Sequence, residues 1–158
     1  MKSLLVIISI VLLSVSCRTS RWEWLNSRPD SPAEICWRVR GRVKYKQISK
    51  NKWVEAKDIW DRGYGDCKDF AICINNFCKL AGFDSELYLI YNKENLRGHV
   101  VTIGKHKEKM WLSSNGSYEC VDSLKDAVNN VISSLKWNIK DISVVPLPDN
   151  MIEIQYKK

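Results

Sequence analysis

The pattern of apolar residues predicts two amphipathic helices. Between residues 66 and 81, apolar side chains recur at positions i, i+4, i+7, i+8 and i+11, the spacing of one buried helix face. These residues are Phe70, Ile74, Phe77, Cys78 and Ala81. Gly82 follows, where helices commonly end. Residues 122–137 predict a second such helix, with an apolar face formed by Leu124, Val128, Val131, Ile132 and Leu135.

A further helix is predicted nearer the N-terminus, from about residue 32 to 44. Asp30 or Ser31 can cap it, and Pro32 suits its first turn. Its apolar residues at helical spacing are Ile35, Val39 and Val43. Residues 45–62 show no clear period, and within them Trp53 and Trp60 are expected to anchor the chain in the core.

The middle of the chain has the character of β-strands. Residues 85–92, 99–104 and 109–115 are rich in β-branched and aromatic residues, and the last two segments are joined by a tight polar turn. Residues 141–147 and 151–156 predict a closing hairpin. This order of elements predicts an α+β fold, in which a helical first half packs against a mostly antiparallel sheet.

The N-terminus has the features of an export signal. A basic residue precedes an apolar run of about 12 residues, which is too short for a stable membrane span. The sequence "LLSVSC" that ends at Cys17 resembles the lipobox of bacterial lipoproteins. We therefore expect a signal peptide at 1–16, lipidation of Cys17, a tether at 17–29 and one domain at 30–158. Ordinary cleavage after Ser16 and an uncleaved segment are the alternatives.

Charge and composition narrow the range of partners. The chain has 158 residues, enough for one ordinary domain, and a formal net charge of +7. That charge could favour anionic membrane or cell-wall surfaces, although a solvated lysine-rich exterior is the simpler interpretation. The basic residues are scattered and match no nucleic-acid-binding motif, so no nucleic acid partner is expected.

The cysteines point to at least one free thiol. With Cys17 set aside, five remain, and an odd number cannot all pair in an oxidising compartment. If Cys67 is free, the other four could pair in three ways or could all be buried thiols; they are Cys36, Cys73, Cys78 and Cys120. Because no C-x-x-C pair is present, neither a metal site nor a redox role is expected, and no cofactor is implied.

Cys67 is placed where a thiol can become a nucleophile. It lies one residue into the predicted helix that follows Asp66, and a helix N-terminus lowers the pKa of a thiol. Gly63 and Gly65 would let backbone and substrate approach closely, and the amide of Cys67 itself could stabilise an oxyanion.

His99 is the candidate base, since His106 falls in the predicted hairpin loop, where a solvated role is expected. If Gly104 faces Met110 across that hairpin, Asn115 lies opposite His99 and could orient its ring. The alternatives are that Asn115 belongs to an Asn-Gly turn, or that Asp122 supplies the partner.

The segments "GDCKDFAICINNFCKLAGF", "GHVVTI" and "MWLSSN", within residues 58–116, resemble the transglutaminase-like superfamily of papain-type thiol enzymes. The resemblance implies a papain-like core, in which the helix that carries the nucleophile packs on an antiparallel sheet. It implies that Cys67 is the nucleophile, that His99 is the general base and acid, and that Asn115 occupies the usual aspartate position. Trp60 and Asp66 are implied, more loosely, to lie at the oxyanion site or groove.

The expected activity is attack on carboxamide or peptide bonds of a protein or peptide through an acyl-thioester, and we expect hydrolysis rather than cross-linking. The enzyme would be exported, either anchored to a membrane by its lipid or free in the periplasm or outside the cell. The alternative is an inactive lipoprotein that binds a peptide or a cell-wall fragment.

Overall fold

The computed structural model describes residues 27–48 and 52–149. The predicted signal peptide, the lipidation site at Cys17, most of the tether and the predicted strand at 151–156 lie outside these residues. Among the described residues, no helix has both the length and the apolar character that crossing a membrane requires.

Four α-helices and a short 3-10 helix form the helical part of the described chain. The α-helices are α1 (Pro32–Arg42), α2 (Ala56–Arg62), α3 (Cys67–Leu80) and α4 (Leu124–Leu135), and the 3-10 helix is Ile139–Asp141. Side chains cap three of the α-helices: Ser31 caps α1, Asp66 caps α3 and Ser123 caps α4. The helices predicted near 32–44, 66–81 and 122–137 are therefore confirmed, whereas α2 was not predicted.

Five strands form one antiparallel sheet in the order β6-β5-β4-β3-β7. They are β3 (Asp84–Asn92), β4 (Arg97–His106), β5 (Lys109–Ser113), β6 (Glu119–Val121) and β7 (Ile142–Leu147). A separate parallel pair joins β1 (Lys44–Tyr45) to β2 (Tyr64–Gly65) and ties the end of α1 to the turn before α3. The three central strands are confirmed, and β6 was not predicted.

Helices cover both faces of the sheet. Buried residues of α1, α2 and α3 form one core cluster with Leu87, Val100 and Trp111 of the sheet. Ala127 and Val131 of α4 form a second cluster with the opposite face of the sheet. The hydroxyl of Thr102, on β4, donates to the carbonyl of Ala71 on α3 at 3.0 Å. Helix α3 is therefore held directly on the strand that carries His99.

The predicted register of the β4–β5 hairpin is wrong by one residue. Gly104 pairs with Trp111 rather than Met110, and the turn consists of the two residues Lys107 and Glu108. Both turn residues have positive φ angles, 48° and 63°. Two-residue turns of this kind match the twist of the flanking strands. Because side chains alternate along a strand, the shift changes which residues of β5 lie on the same face as His99.

Candidate active site

The turn before Cys67 is fixed by hydrogen bonds at the start of α3. Gly63 ends α2 with a φ of 72°, which glycine adopts without strain. The side chain of Asp66 then accepts from the amides of Lys68 and Asp69, and the Asp69 side chain accepts from the amide of Asp66 at 3.1 Å. This reciprocal capping box fixes the residue at which α3 begins. It does not use the amide of Cys67, which lies between the two capping residues.

Asp69 links this turn to helix α2. Its side chain is fully buried and forms an ion pair with Arg62 at 2.6 Å. A Cβ atom at position 65 would lie 2.5 Å from Asp69 Cβ and 2.8 Å from Asp69 Oδ2. Gly65 is therefore required because Asp69 folds back over it, and much of the "GYGDCKD" sequence is explained by the structure of this turn.

Replacing Gly65 by Ala is expected to lower the free energy of unfolding by about 2 kcal/mol, because the new methyl group overlaps a buried side chain. Urea unfolding followed by circular dichroism measures the change. Gly41→Ala is the matched control, since a Cβ atom there has no neighbour within 4 Å and alanine favours a helix. Equal stability of Gly65→Ala and the wild type would contradict the described packing.

Cys67 is half-buried on the floor of an open cleft of about 720 Å³. His99 lines the same cleft, as do Asp66, Lys68 and Gly98. The remainder of the lining is largely aromatic and apolar and includes Tyr45, Trp53, Leu89, Tyr91, Leu135 and Trp137. The structure therefore brings Cys67, Asp66 and His99 to one cleft.

The environment of the sulfur differs from the prediction. Burial raises the pKa of the Cys67 thiol, and the Asp66 carboxylate raises it further, while backbone hydrogen bonds from Val100 and Lys68 lower it in part. The predicted lowering by the helix N-terminus is therefore outweighed by desolvation. Val100, whose backbone amide contributes to the partial lowering of this pKa, directly follows the candidate base His99 along β4.

His99 is buried near the start of β4, and its ring is held by a serine. Pairing between β4 and β5 ends at Thr102 and Ser113, and the chain turns at Ser114, the first residue after β5. The Oγ atom of Ser114 lies 2.8 Å from Nε2 of His99. Burial lowers the pKa of His99, which favours the neutral imidazole.

Ser114 is the functional candidate that the sequence did not reveal. Ser117 holds its carbonyl oxygen through the backbone amide at 3.0 Å and the side-chain hydroxyl at 2.7 Å, which fixes the turn. Asn115 is exposed, has a φ of 51° and forms an Asn-Gly turn with Gly116. Its predicted role depended on the register that proved wrong, so the support for that role is lost. The residue observed at the His99 ring is Ser114.

Lys68 is a buried cation next to Cys67 in the sequence. Its ammonium group lies 2.7 Å from Asp66 and 3.7 Å from Asp69, so two carboxylates share its charge. It contributes the smallest of the effects that lower the pKa of Cys67. The main effect of Lys68 is therefore to neutralise the carboxylates of Asp66 and Asp69, which would otherwise destabilise a thiolate at Cys67.

Other residues singled out in the sequence contribute to the packing of the fold. Trp60 is buried in the core, where its ring meets Phe77 edge-on at 5.2 Å. His106 ends β4 and packs edge-on against Phe83, also at 5.2 Å, instead of lying in the loop. The five described cysteines are free thiols, and Cys36, Cys73 and Cys78 are buried. No group of three possible metal ligands occurs within 27–48 and 52–149.

Comparisons with known proteins support the fold rather than a detailed function. No protein-family model matches the chain, and no curated protein matches its sequence. The structure of Legionella pneumophila LapG is similar, with a TM-score of 0.52 and 14% identity over 66% of each chain. An EGTA-treated form of LapG has a TM-score of 0.53 and 13% identity over 66% of this chain and 64% of that one. The similarity thus spans slightly less than two thirds of the LapG chain.

The two LapG structures share the overall arrangement of this chain at low identity, so the similarity concerns the fold. The α+β architecture, with the Cys67 helix packed on the antiparallel sheet, agrees with the expectation from the sequence. The chain therefore shares an α+β, papain-like fold with the two LapG structures.

Proposed function

We propose that the protein is an exported, lipid-anchored thiol hydrolase that cleaves peptide or carboxamide bonds. One observation carries the proposal: Cys67 and His99 line the same cleft, where the backbone amide of Val100, the residue after His99, also lowers the pKa of Cys67. The hydrogen bond between Ser114 and His99 adds to it, because a base must be held in one orientation to accept a proton efficiently. The lipid anchor rests on the sequence around Cys17.

The reaction begins from a neutral pair, since burial disfavours both the thiolate and the imidazolium. As the sulfur attacks the carbonyl carbon, Nδ1 of His99 takes the thiol proton. This requires the tautomer in which Nε2–H donates to Ser114 Oγ. The imidazolium then protonates the departing amine as the acyl-thioester forms. Water, deprotonated by His99, hydrolyses the thioester and restores the thiol.

The oxyanion would be stabilised at the start of α3. The amide of Cys67 lies outside the capping box, which takes the amides of Lys68 and Asp69. Backbone amides at a helix N-terminus are suited to developing negative charge. The open cleft and its aromatic lining fit an extended peptide better than a small compact ligand.

The test is cleavage of a mixed peptide library, with new termini and the mass of the enzyme followed by mass spectrometry. We expect cleavage by the wild type and an acyl adduct on Cys67 at early times. Cys67→Ala should show neither, while circular dichroism shows an unchanged fold. Cleavage by Cys67→Ala would refute the proposal. Peptide binding without cleavage by the wild type would favour the binding lipoprotein instead.

The pH dependence of hydrolysis distinguishes a neutral pair from a preformed ion pair. Because burial lowers the pKa of His99, the neutral base persists as pH falls through the ordinary histidine value of about 6.5. Because burial raises the pKa of Cys67, the thiol stays protonated beyond about pH 8.5. We expect kcat/KM to decline only below about pH 6.5 and to stay level up to about 8.5. A bell-shaped profile with a maximum near pH 6 would indicate an ion pair.

A further inference from the structure

One face of helix α1 carries side chains that point away from the domain. Trp37 and Arg40 lie three residues apart on α1, Lys44 lies on β1 just after the helix, and all three side chains are exposed. Trp37 is 74% exposed, and it is the one tryptophan of the described residues that is mostly in solvent. We call Trp37, Arg40, Gly41 and Lys44 the α1 face.

Other basic side chains of α1 are used in contacts within the protein. Arg38 forms an ion pair with Glu34, and Arg42 donates to the carbonyl of Trp60 at 3.1 Å. Within the described part of the chain, by contrast, no carboxylate forms an ion pair with Arg40 or Lys44. Two cations and an indole are therefore left for an external partner.

No acidic residues close in the sequence neutralise the positive charge around the α1 face. No Asp or Glu occurs between Glu34 and Glu55, while seven Lys or Arg residues do. Arg40 and Lys44 also border a groove of about 420 Å³, which Tyr45, Phe70 and Asn115 help to line. The resulting surface is cationic and has aromatic side chains at its centre and edge.

We propose that the α1 face docks on an anionic membrane surface, with Trp37 at the headgroup level and Arg40 and Lys44 against lipid phosphates. Tryptophan is suited to the boundary between lipid and water, and each basic residue near an anionic leaflet adds to binding. The inference rests on the proposed lipid anchor at Cys17 and adds a second membrane contact, made by the protein surface itself. Ser27 lies ten residues after Cys17, so the start of the domain stays within about 35 Å of a bilayer that holds the lipid.

Docking by this face would also place the cleft near the membrane. Tyr45 lines both the groove beside Arg40 and Lys44 and the cleft that contains Cys67. A protein docked through the α1 face would therefore hold its nucleophile close to peptide segments that emerge from, or lie along, the same bilayer.

A fluorescent probe at position 41 tests the orientation on vesicles. The full chain carries Cys17→Ser, Cys67→Ser and Cys120→Ser, and a single environment-sensitive label at Gly41→Cys or, as the control, Leu96→Cys. Leu96 is also 74% exposed but lies in the β3–β4 turn. Because Leu96 lies at the edge of the cleft, it should be near the bilayer but not in it: with vesicles of 70% phosphatidylcholine and 30% phosphatidylglycerol that contain nitroxide lipids, we expect clearly stronger quenching at position 41 than at 96. Equal quenching at both positions, or none at 41, would overturn the proposal.

Charge reversals provide a second, independent measurement. Arg40→Glu/Lys44→Glu is expected to weaken binding to the same vesicles by at least about tenfold. Lys105→Glu/Lys107→Glu changes the net charge equally at another exposed site and should have a much smaller effect. Equal losses for the two pairs would show attraction by overall charge alone and would refute a specific face. Peptide hydrolysis is measured separately, so failure of docking leaves the proposed enzyme activity testable.

Discussion

Replacing His99 by Gln is expected to reduce kcat/KM for peptide hydrolysis by about 1000-fold, within the range typical of losing a general base. Glutamine can retain a hydrogen bond to Ser114 Oγ, so the local packing is largely preserved. It cannot accept the thiol proton, and the raised pKa of Cys67 leaves little thiolate at neutral pH to compensate. The loss should therefore diminish as pH rises and the thiol ionises directly.

His106→Gln is the matched control, because it changes the other histidine of the chain at a site packed against Phe83. We expect its kcat/KM to stay within about threefold of the wild type. Ser114→Ala should fall between the two variants, since it removes the group that orients His99 but leaves the base in place. An activity of His99→Gln close to that of the wild type at pH 7 would refute the role of His99.

The sequence was most informative about α3, the helix that has a buried apolar face and begins at Cys67. The apolar stripe from Phe70 to Ala81 predicted α3, and the residues around Cys67 matched the start of that helix closely. The resemblance to thiol enzymes implied that this helix packs on the sheet, and the hydrogen bond from Thr102 to Ala71 connects it to the strand bearing His99. These features are encoded locally, because hydrophobic period and capping residues act within a few positions.

The third site residue could not be predicted with the same reliability. Its identity depends on the hairpin register, which is set by a turn of Lys107 and Glu108. Two-residue turns with positive φ usually contain Asn or Gly, and neither residue occurs here, so the turn type could not be recognised from the residues. The observed register puts Ser114, and not Asn115, on the same face as His99, and Ser114 contacts its ring.

Two other differences arise from tertiary context. Helix α2 has only seven residues, with too little periodicity to be recognised, and it is stabilised by burying Ile59 and Trp60 against the core. The pKa of Cys67 was expected to fall because only the helix N-terminus was visible in the sequence. Burial in the cleft and the neighbouring Asp66 carboxylate reverse the direction of the shift, and both depend on the folded chain.

Asp69 is the residue through which the stability of the fold and the position of the nucleophile are most directly coupled. Its buried carboxylate accepts from the amide of Asp66 and pairs with Arg62, which joins the start of α3 to the end of α2. Cys67 lies between the two members of this capping box. Loss of Asp69 should therefore both destabilise the protein and displace the sulfur.

We expect Asp69→Ala to lower the free energy of unfolding by about 3 kcal/mol, because it leaves the Asp66 amide unsatisfied and removes the buried partner of Arg62. Asp69→Asn should cost less, since an amide oxygen can still accept from Asp66. Asp58→Ala, which removes an exposed carboxylate from α2, is the control and should change stability by less than about 0.5 kcal/mol. Urea unfolding measures all three. If Asp69→Ala were as stable as the control, the capping box and the ion pair could not be what holds Cys67 at the start of its helix.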